Sequence, residues 1–319
     1  MTPDGSMSNG RINRSRQAVC DEYYTPYDMV ARGVEPYRDR FAGRHVLLNT
    51  NDGDWSAFWQ YMTGHYHEFG LASLTSLEYC AEHATLFAGP ADHGRIHRYD
   101  GVRHTVEDVM DSGGYDSPSG LAELARADMV VGNPPFSRLG EYLPLLDKAD
   151  VLFLVVGNLN ALCYTDVFPL FQQGRVMPVD HNGQAANWFI LPFEPEHATM
   201  RRRDGMGRPM VRVSRTAWLT NLRTKPVMFK PDHLYDPNVN RTYDGMTVVD
   251  CPSRNLIPCD WEGRIGAPAS VLSRWPQGWR PVGVLGQGPG MVRPCIDGRE
   301  QFRRLLLERG SWRPGLHTK

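Results

Sequence analysis

The chain has no Cys-x-x-Cys pair, no membrane-length apolar run and no excess of charge of either sign. Its six cysteines (Cys20, Cys80, Cys163, Cys251, Cys259, Cys295) are scattered over 319 residues. That spacing argues against a disulfide scaffold or a zinc site and predicts reduced thiols in a cytoplasmic protein. The start, Met-Thr-Pro-Asp-Gly-Ser, has no apolar h-region, so no signal peptide is expected. Gly286-Gln287-Gly288-Pro289-Gly290 lacks the Lys-Ser/Thr ending and the following helix of a phosphate loop. His65, His67, His93 and His97 lack Cys or carboxylate partners at zinc spacing, so no metal is expected. Internal repeats and low-complexity tracts are also missing.

What is present is an ordinary globular balance, 41% hydrophobic and 22% charged. The formal net charge of −1 hides an uneven distribution. Between Met200 and Lys225, eight basic residues face one acid, Asp204. Arg201, Arg202, Arg203, Arg212, Arg215 and Arg223 are the candidate phosphate contacts of that stretch. Arg11, Arg14 and Arg16 punctuate a polar segment, 1–19, that is expected to be a flexible basic tail.

The apolar pattern alternates between strand-like and helix-like segments. Buried strands are expected at His45–Asn49, Leu71–Tyr79, Met129–Val131, Val151–Val156, Asn187–Leu191 and Val211–Val213, and a short one within Arg95–Val102. Helices are expected at Asp28–Arg40, Trp55–His67, Gly120–Ala127, Gly140–Lys148 and Ala161–Gln173, with 84–120 otherwise irregular. This order predicts an α/β fold with a mostly parallel sheet and helices on both faces, binding ligands at the carboxyl ends of its strands. From Thr216 onward Pro and Gly become frequent. The expected division is a catalytic domain over 20–215 and a less regular target-recognition region over 216–319 packed on it.

Asn133-Pro134-Pro135-Phe136 follows a buried strand directly. Two prolines remove two N–H donors and fix φ, and each holds the preceding residue extended. The Asn133 side-chain oxygen and the Pro134 carbonyl can then accept both hydrogens of a planar NH2 group, with Phe136 as a stacking face. That constellation suits methyl transfer to an amino nitrogen. The residues alone leave the acceptor open between a DNA base, an RNA base and a protein glutamine, or a non-catalytic DNA-binding relative.

Further segments occur in a telling order: Asp21-Glu22-Tyr23-Tyr24-Thr25-Pro26, Val46-Leu47-Leu48-Asn49-Thr50-Asn51-Asp52, Ala127 to Ser137, Val156-Gly157-Asn158-Leu159-Asn160-Ala161, Trp218-Leu219-Thr220-Asn221-Leu222, Tyr243-Asp244-Gly245, and Ile265-Gly266-Ala267-Pro268 through Val284-Leu285-Gly286. Together they resemble the EcoRI-type adenine-specific DNA methyltransferases, from about Cys20 to Leu307. The resemblance implies an S-adenosylmethionine-dependent, Rossmann-like enzyme that methylates N6 of a flipped adenine in double-stranded DNA, in restriction–modification or phage protection, as a monomer or weak dimer. It places Asn133, Pro134, Pro135 and Phe136 in catalysis. Around the cofactor it implies Tyr23, Thr25, Pro26, Asn49 and Asp52, with Glu78 for the ribose hydroxyls. The family's Gly-Asp-Phe-like element is replaced by Asp111-Ser112-Gly113-Gly114-Tyr115-Asp116-Ser117, so the acid facing the cofactor adenine is unassigned, with Asp116 the candidate.

Overall fold

The computed structural model describes residues 23–50, 53–80, 93–179, 186–191, 201–224, 227–286 and 292–312. The expected tail and Asp52 lie outside the described residues. In chain order the elements are α1 (Tyr27–Val34), β1 (His45–Leu48), α2 (Ala57–Gly64), α3 (Tyr66–Phe69), β2 (Ser73–Glu78), β3 (Arg95–Tyr99), β4 (His104–Asp108), α4 (Pro118–Leu124), β5 (Met129–Gly132), α5 (Leu139–Lys148), β6 (Leu152–Asn158), α6 (Phe168–Gln172), β7 (Met177–Val179), β8 (Ala186–Ile190), β9 (Arg201–Arg203), β10 (Pro209–Ser214) and β11 (Thr216–Thr220).

Eight of these strands form one mixed sheet in the order β4-β3-β2-β1-β5-β6-β11-β7. The four central strands β2, β1, β5 and β6 run parallel. β3 and β4 add an antiparallel hairpin at one edge, and β11 is inserted antiparallel between β6 and β7 at the other. The fold is therefore mixed α/β around a large, mostly parallel sheet.

Strand alternation feeds two cores. Leu47, Val130, Phe153 and Val155 join one cluster with Leu139, Tyr142, Leu143 and Leu146 of α5. Val46, Leu48, Met129, Val131, Leu152 and Leu154 join the other with residues of α1 and α2. Strands buried on both sides read as continuous apolar runs, which is why they were visible in the sequence. A Cβ on Gly33 of α1 would overlap the Trp218 ring, so glycine permits this helix to lie close on β11.

Several boundaries differ from expectation. The helix predicted over Asp28–Arg40 is α-helical only to Val34 and continues as a 3₁₀ segment, Glu35–Arg40. Pro36, without an N–H, interrupts the α-helical ladder there. The helix predicted over Trp55–His67 begins after Ser56, whose hydroxyl accepts from Trp59 N at 3.1 Å. The helix predicted over Ala161–Gln173 is broken into a 3₁₀ turn, Leu159–Cys163, and α6, with Pro169 in the first turn where its missing N–H costs nothing.

The region after Thr216 is more regular than expected. Thr216–Thr220 is β11 of the central sheet, and strands Val248–Asp250, Arg264–Pro268, Arg304–Arg309 and Trp279–Leu285 form a second, four-stranded sheet. Val249, Cys251, Ile257, Ile265, Ala267, Leu305 and Leu307 of this region belong to the same core cluster as α5.

A buried acid ties α4 to β3. Glu123 is 5% exposed and accepts from Arg98 at 2.7 and 2.9 Å and from Arg126 at 2.6 Å. The Arg98 hydrogen bonds hold the Glu123 carboxyl below its usual range against the opposing pull of burial. A depressed folded-state pKa stabilises above the ordinary value and is lost as pH falls through the folded one. Urea titrations of wild type and Glu123→Gln are therefore expected to show a stability gap at neutral pH that closes on acidification.

Candidate functional site

The carboxyl ends of β1 and β5 lie side by side and open into a cavity of about 390 Å³. Its walls come from Tyr23 to Thr25, Asn49 and Thr50 after β1, Trp55 to Phe58 at the start of α2, Tyr79 after β2, Gly114 to Asp116, and the loop after β5. This is the size of a small-molecule cofactor site, at the place where parallel sheets present one.

The polar atoms of the cavity are pre-set. Asn133 Nδ2 donates to the Tyr23 carbonyl at 2.7 Å, and its backbone N–H donates to Thr50 Oγ1 at 3.1 Å. The amide is thereby fixed, and its buried Oδ1 has no partner. Asn49 Oδ1 accepts from the Tyr142 hydroxyl at 2.6 Å, which leaves the buried Asn49 Nδ2 without a partner. Thr25 Oγ1 is a third buried orphan. Together with the buried, unpartnered Tyr115 hydroxyl, these unsatisfied polar atoms in one cavity are a recognition surface, since each costs stability unless something binds it.

The Asp111–Ser117 turn carries two acids with different work. Asp111 accepts from Gly113 N at 2.9 Å and from Ser119 N at 2.8 Å. Burial pulls its carboxyl up, but the bonds from Ser119 and Gly113 win and hold it below the usual range. Gly113 supplies the positive φ of +66° that this turn requires. Asp116, by contrast, lines the cavity and is paired with Arg138 at 3.0 Å.

The loop Asn133–Phe136 divides its labour. Asn133 and Pro135 line the cavity; Pro134 is buried. Phe136 does not line the cavity. It is half-buried in an aromatic trio, 5.9 Å from the Tyr23 ring and 6.0 Å from Phe189. Tyr23, Thr25 and Asn49 line the cavity as expected, whereas Pro26 sits just behind as the N-cap of α1. Glu78 is not in the lining; one of its oxygens lies 2.9 Å from His97 Nε2, and its neighbour Tyr79 forms the wall instead.

The sequence reading assigned no role to Tyr24, Trp55 and Tyr79, which line the cavity, or to Phe189, a fully buried core residue that supports Phe136. An aromatic residue carries the same sequence pattern in a core and in a pocket wall. Tyr24 and Ile190 exchange backbone hydrogen bonds at 2.9 Å each, which joins the N-terminal wall of the cavity to β8.

The candidate arginines fall into two groups. β8, β10 and β9 form a separate antiparallel ribbon. Arg201, Arg202 and Arg203 are exposed on β9, and Arg212 is exposed on β10. Arg202 lies over the Trp188 ring at 4.5 Å, and Arg212 is opposite Trp188 in register. Arg215, between β10 and β11, donates to Asn160 Oδ1 at 3.2 Å beside the carboxyl end of β6. Arg223 is not brought to this face. It follows β11, which runs antiparallel to β6 and ends beside the start of that strand, at the edge of the sheet away from the cavity. Cys163, also near the end of β6, is pushed up to about 12 by burial and is no nucleophile.

Comparison with known proteins decides the family. The sequence profile of the adenine-specific methyltransferase EcoRI matches residues 11–286. The chain belongs to the EcoRI family of adenine-specific methyltransferases. It is accordingly a DNA adenine methyltransferase. It is 27% identical over 315 residues to the Type II methyltransferase M.EcoRI of Escherichia coli, covering 94% of this chain and 97% of that one. It is 28% identical over 271 residues to the Type II methyltransferase M.MpnI of Mycoplasma pneumoniae, covering 82% and 81%. No solved structure matches this methyltransferase. Among its described residues no helix is long and apolar enough to cross a membrane.

Proposed function

We propose that this methyltransferase takes its methyl group from S-adenosylmethionine and places it on N6 of an adenine flipped out of double-stranded DNA, as the protective member of a restriction–modification pair or a phage counterpart. The observation that carries the reading is the buried, unpartnered Asn133 Oδ1, held as an acceptor by the bond from Asn133 Nδ2 to Tyr23.

S-adenosylmethionine, when bound, supplies an electrophilic methyl group. Thr25 and Asn49 offer one hydroxyl and one amide donor to its polar end, and Asp116 serves its adenine side. Asn133 Oδ1 accepts one N6 hydrogen of the target and the Pro134 carbonyl accepts the other. Both bonds strengthen as N6 becomes tetrahedral and positive, so they favour the transition state over the ground state. The methylated nitrogen is then acidic enough to lose its proton to water. Phe136, held by Tyr23 and Phe189, stacks on the flipped base, a contact worth about 1–3 kcal/mol. A Rossmann-like domain with helices on both faces carries these groups, and the region beyond β11 contributes target recognition.

The test is incubation with tritiated donor and unmethylated duplex DNA, followed by base analysis. Label in N6-methyladenine is expected. Donor binding with no labelled DNA, or label in RNA or protein glutamine instead, overturns the reading.

Arg201, Arg202, Arg203 and Arg212 of the β8-β10-β9 ribbon and Arg215 after it are the proposed DNA contacts. Phosphate contacts release counterions, so each arginine removed should lower the salt slope of binding by about 1. Arg202→Ala with Arg212→Ala is expected to lower it by about 2, while Arg223→Ala leaves it unchanged. Fluorescence anisotropy against salt concentration checks both.

A further inference from the structure

No metal is expected from the sequence, because His65, His67, His93 and His97 lack a Cys or carboxylate cluster at zinc spacing. The fold creates one. His97, His104 and Asp54 bring a ligating atom each to within 4.8 Å of one another behind the cavity wall. We propose that these three side chains, oriented by Glu78, bind one zinc-type divalent cation that pins the loop before α2 to the β3–β4 hairpin.

The geometry follows from strand register. His97 pairs with Val106 and Tyr99 with His104, so the two imidazoles are diagonal neighbours on one face of the hairpin. Their rings stack at 5.3 Å with 23° between planes, and Trp59 packs on both. His97 Nδ1 and His104 Nε2 are 3.1 Å apart. Two nitrogens on one tetrahedral zinc at ordinary bond lengths are about 3.3 Å apart, so the pair is nearly at ligand spacing.

Glu78 sets the chemistry of the first ligand. Its Oε2 lies 2.9 Å from His97 Nε2. A carboxylate only accepts, so Nε2 carries the ring proton and Nδ1 presents a lone pair toward His104. A carboxylate behind a ligating imidazole is the usual second layer of a metal site. His97 is 3% exposed, whereas Asp54 and His104 are exposed, which gives one rigid ligand and an open route for the ion. Two imidazoles and one carboxylate favour zinc or cobalt over magnesium or calcium.

The location gives the cation a task. Asp54 directly precedes Trp55 and Glu78 directly precedes Tyr79, and both aromatic residues line the cofactor cavity. An ion shared by the loop and the hairpin fixes that wall. The inference stands on ligand geometry and does not depend on the methyl-transfer reading.

Metal-free full-length protein should be titrated with Zn²⁺ by calorimetry and with Co²⁺ by visible absorption. One ion per chain and an intense four-coordinate cobalt spectrum are expected. Glu78→Gln should weaken zinc binding about 10- to 100-fold, and His104→Gln by at least as much. His104 is exposed and a glutamine there can still donate to His97 Nδ1, so the replacement should change the thermal melt of the metal-free protein little. Equal affinity in wild type and His104→Gln, a weak octahedral cobalt spectrum, or no heat of binding would each overturn the site and leave a plain imidazole–imidazole hydrogen bond.

Discussion

Asn133→Ala is expected to lower kcat by about 10²- to 10³-fold, the loss typical of removing one pre-oriented hydrogen-bond partner of developing charge. Donor and DNA affinities should stay near those of the wild type. Asn133 Oδ1 is buried and unpartnered, so it makes no structural hydrogen bond whose loss would unfold the loop. The Nδ2 bond to Tyr23 does hold the loop, but the backbone bond from Asn133 N to Thr50 remains after truncation. Single-turnover kinetics with saturating donor separate the two contributions. If donor affinity falls as far as kcat does, Asn133 shapes the cavity rather than polarising the target. Asn133→Asp is the informative partner variant. It keeps an acceptor but sets a carboxylate against the Tyr23 carbonyl, and it should retain more activity than the alanine variant while binding target less well.

Arg304→Met should give the largest loss of stability, about 3–5 kcal/mol, because it strands a buried charge. Asp250 is 3% exposed and Arg304 7% exposed, and they pair at 2.8 Å between the end of strand Val248–Asp250 and the start of strand Arg304–Arg309. The Tyr243 hydroxyl also donates to Asp250, and burial together with that carboxylate drives its ionisation far upward. Without Arg304, Asp250 keeps one neutral donor for a full charge in a dry interior. Adding Asp250→Asn should recover much of the loss, since the remaining groups are then neutral and hydrogen-bonded. Urea unfolding of the single and double variants measures this. A loss below about 1 kcal/mol for Arg304→Met would mean that water reaches the pair.

These two residues differ in how far the sequence revealed them. Asn133 was legible because prolines and a preceding apolar run constrain it locally. Asp250 and Arg304 are 54 residues apart and become partners only through the pairing of Arg264–Pro268 with Arg304–Arg309. The same distinction runs through the fold. β1, β5 and β6 showed themselves as apolar runs because both faces are buried. β4 is exposed at every position, so it carries no periodic signal and exists only by pairing with β3. Of the site, Tyr23, Thr25, Asn49, Asp116 and Asn133 were found by motif and converge on one cavity. Trp55 and Tyr79 were not, since an aromatic residue carries the same pattern whether it fills a core or walls a pocket. Arg223 was grouped with the other arginines by proximity in sequence, and the reversed direction of β11 takes it to the other edge of the sheet.

In the role proposed for it, the fixed amide of Asn133 would also act as a polarity filter. With Nδ2 committed to the Tyr23 carbonyl, the side chain cannot turn over to offer a donor. A six-amino purine meets a lone pair with a hydrogen. A six-keto purine, guanine or the deaminated hypoxanthine, meets it with another lone pair. Size would not separate these bases, but a buried, unsatisfied acceptor would. With Asn133 in its proposed role, discrimination between an intact adenine and its hydrolytic damage product would rest on one hydrogen bond that touches neither base.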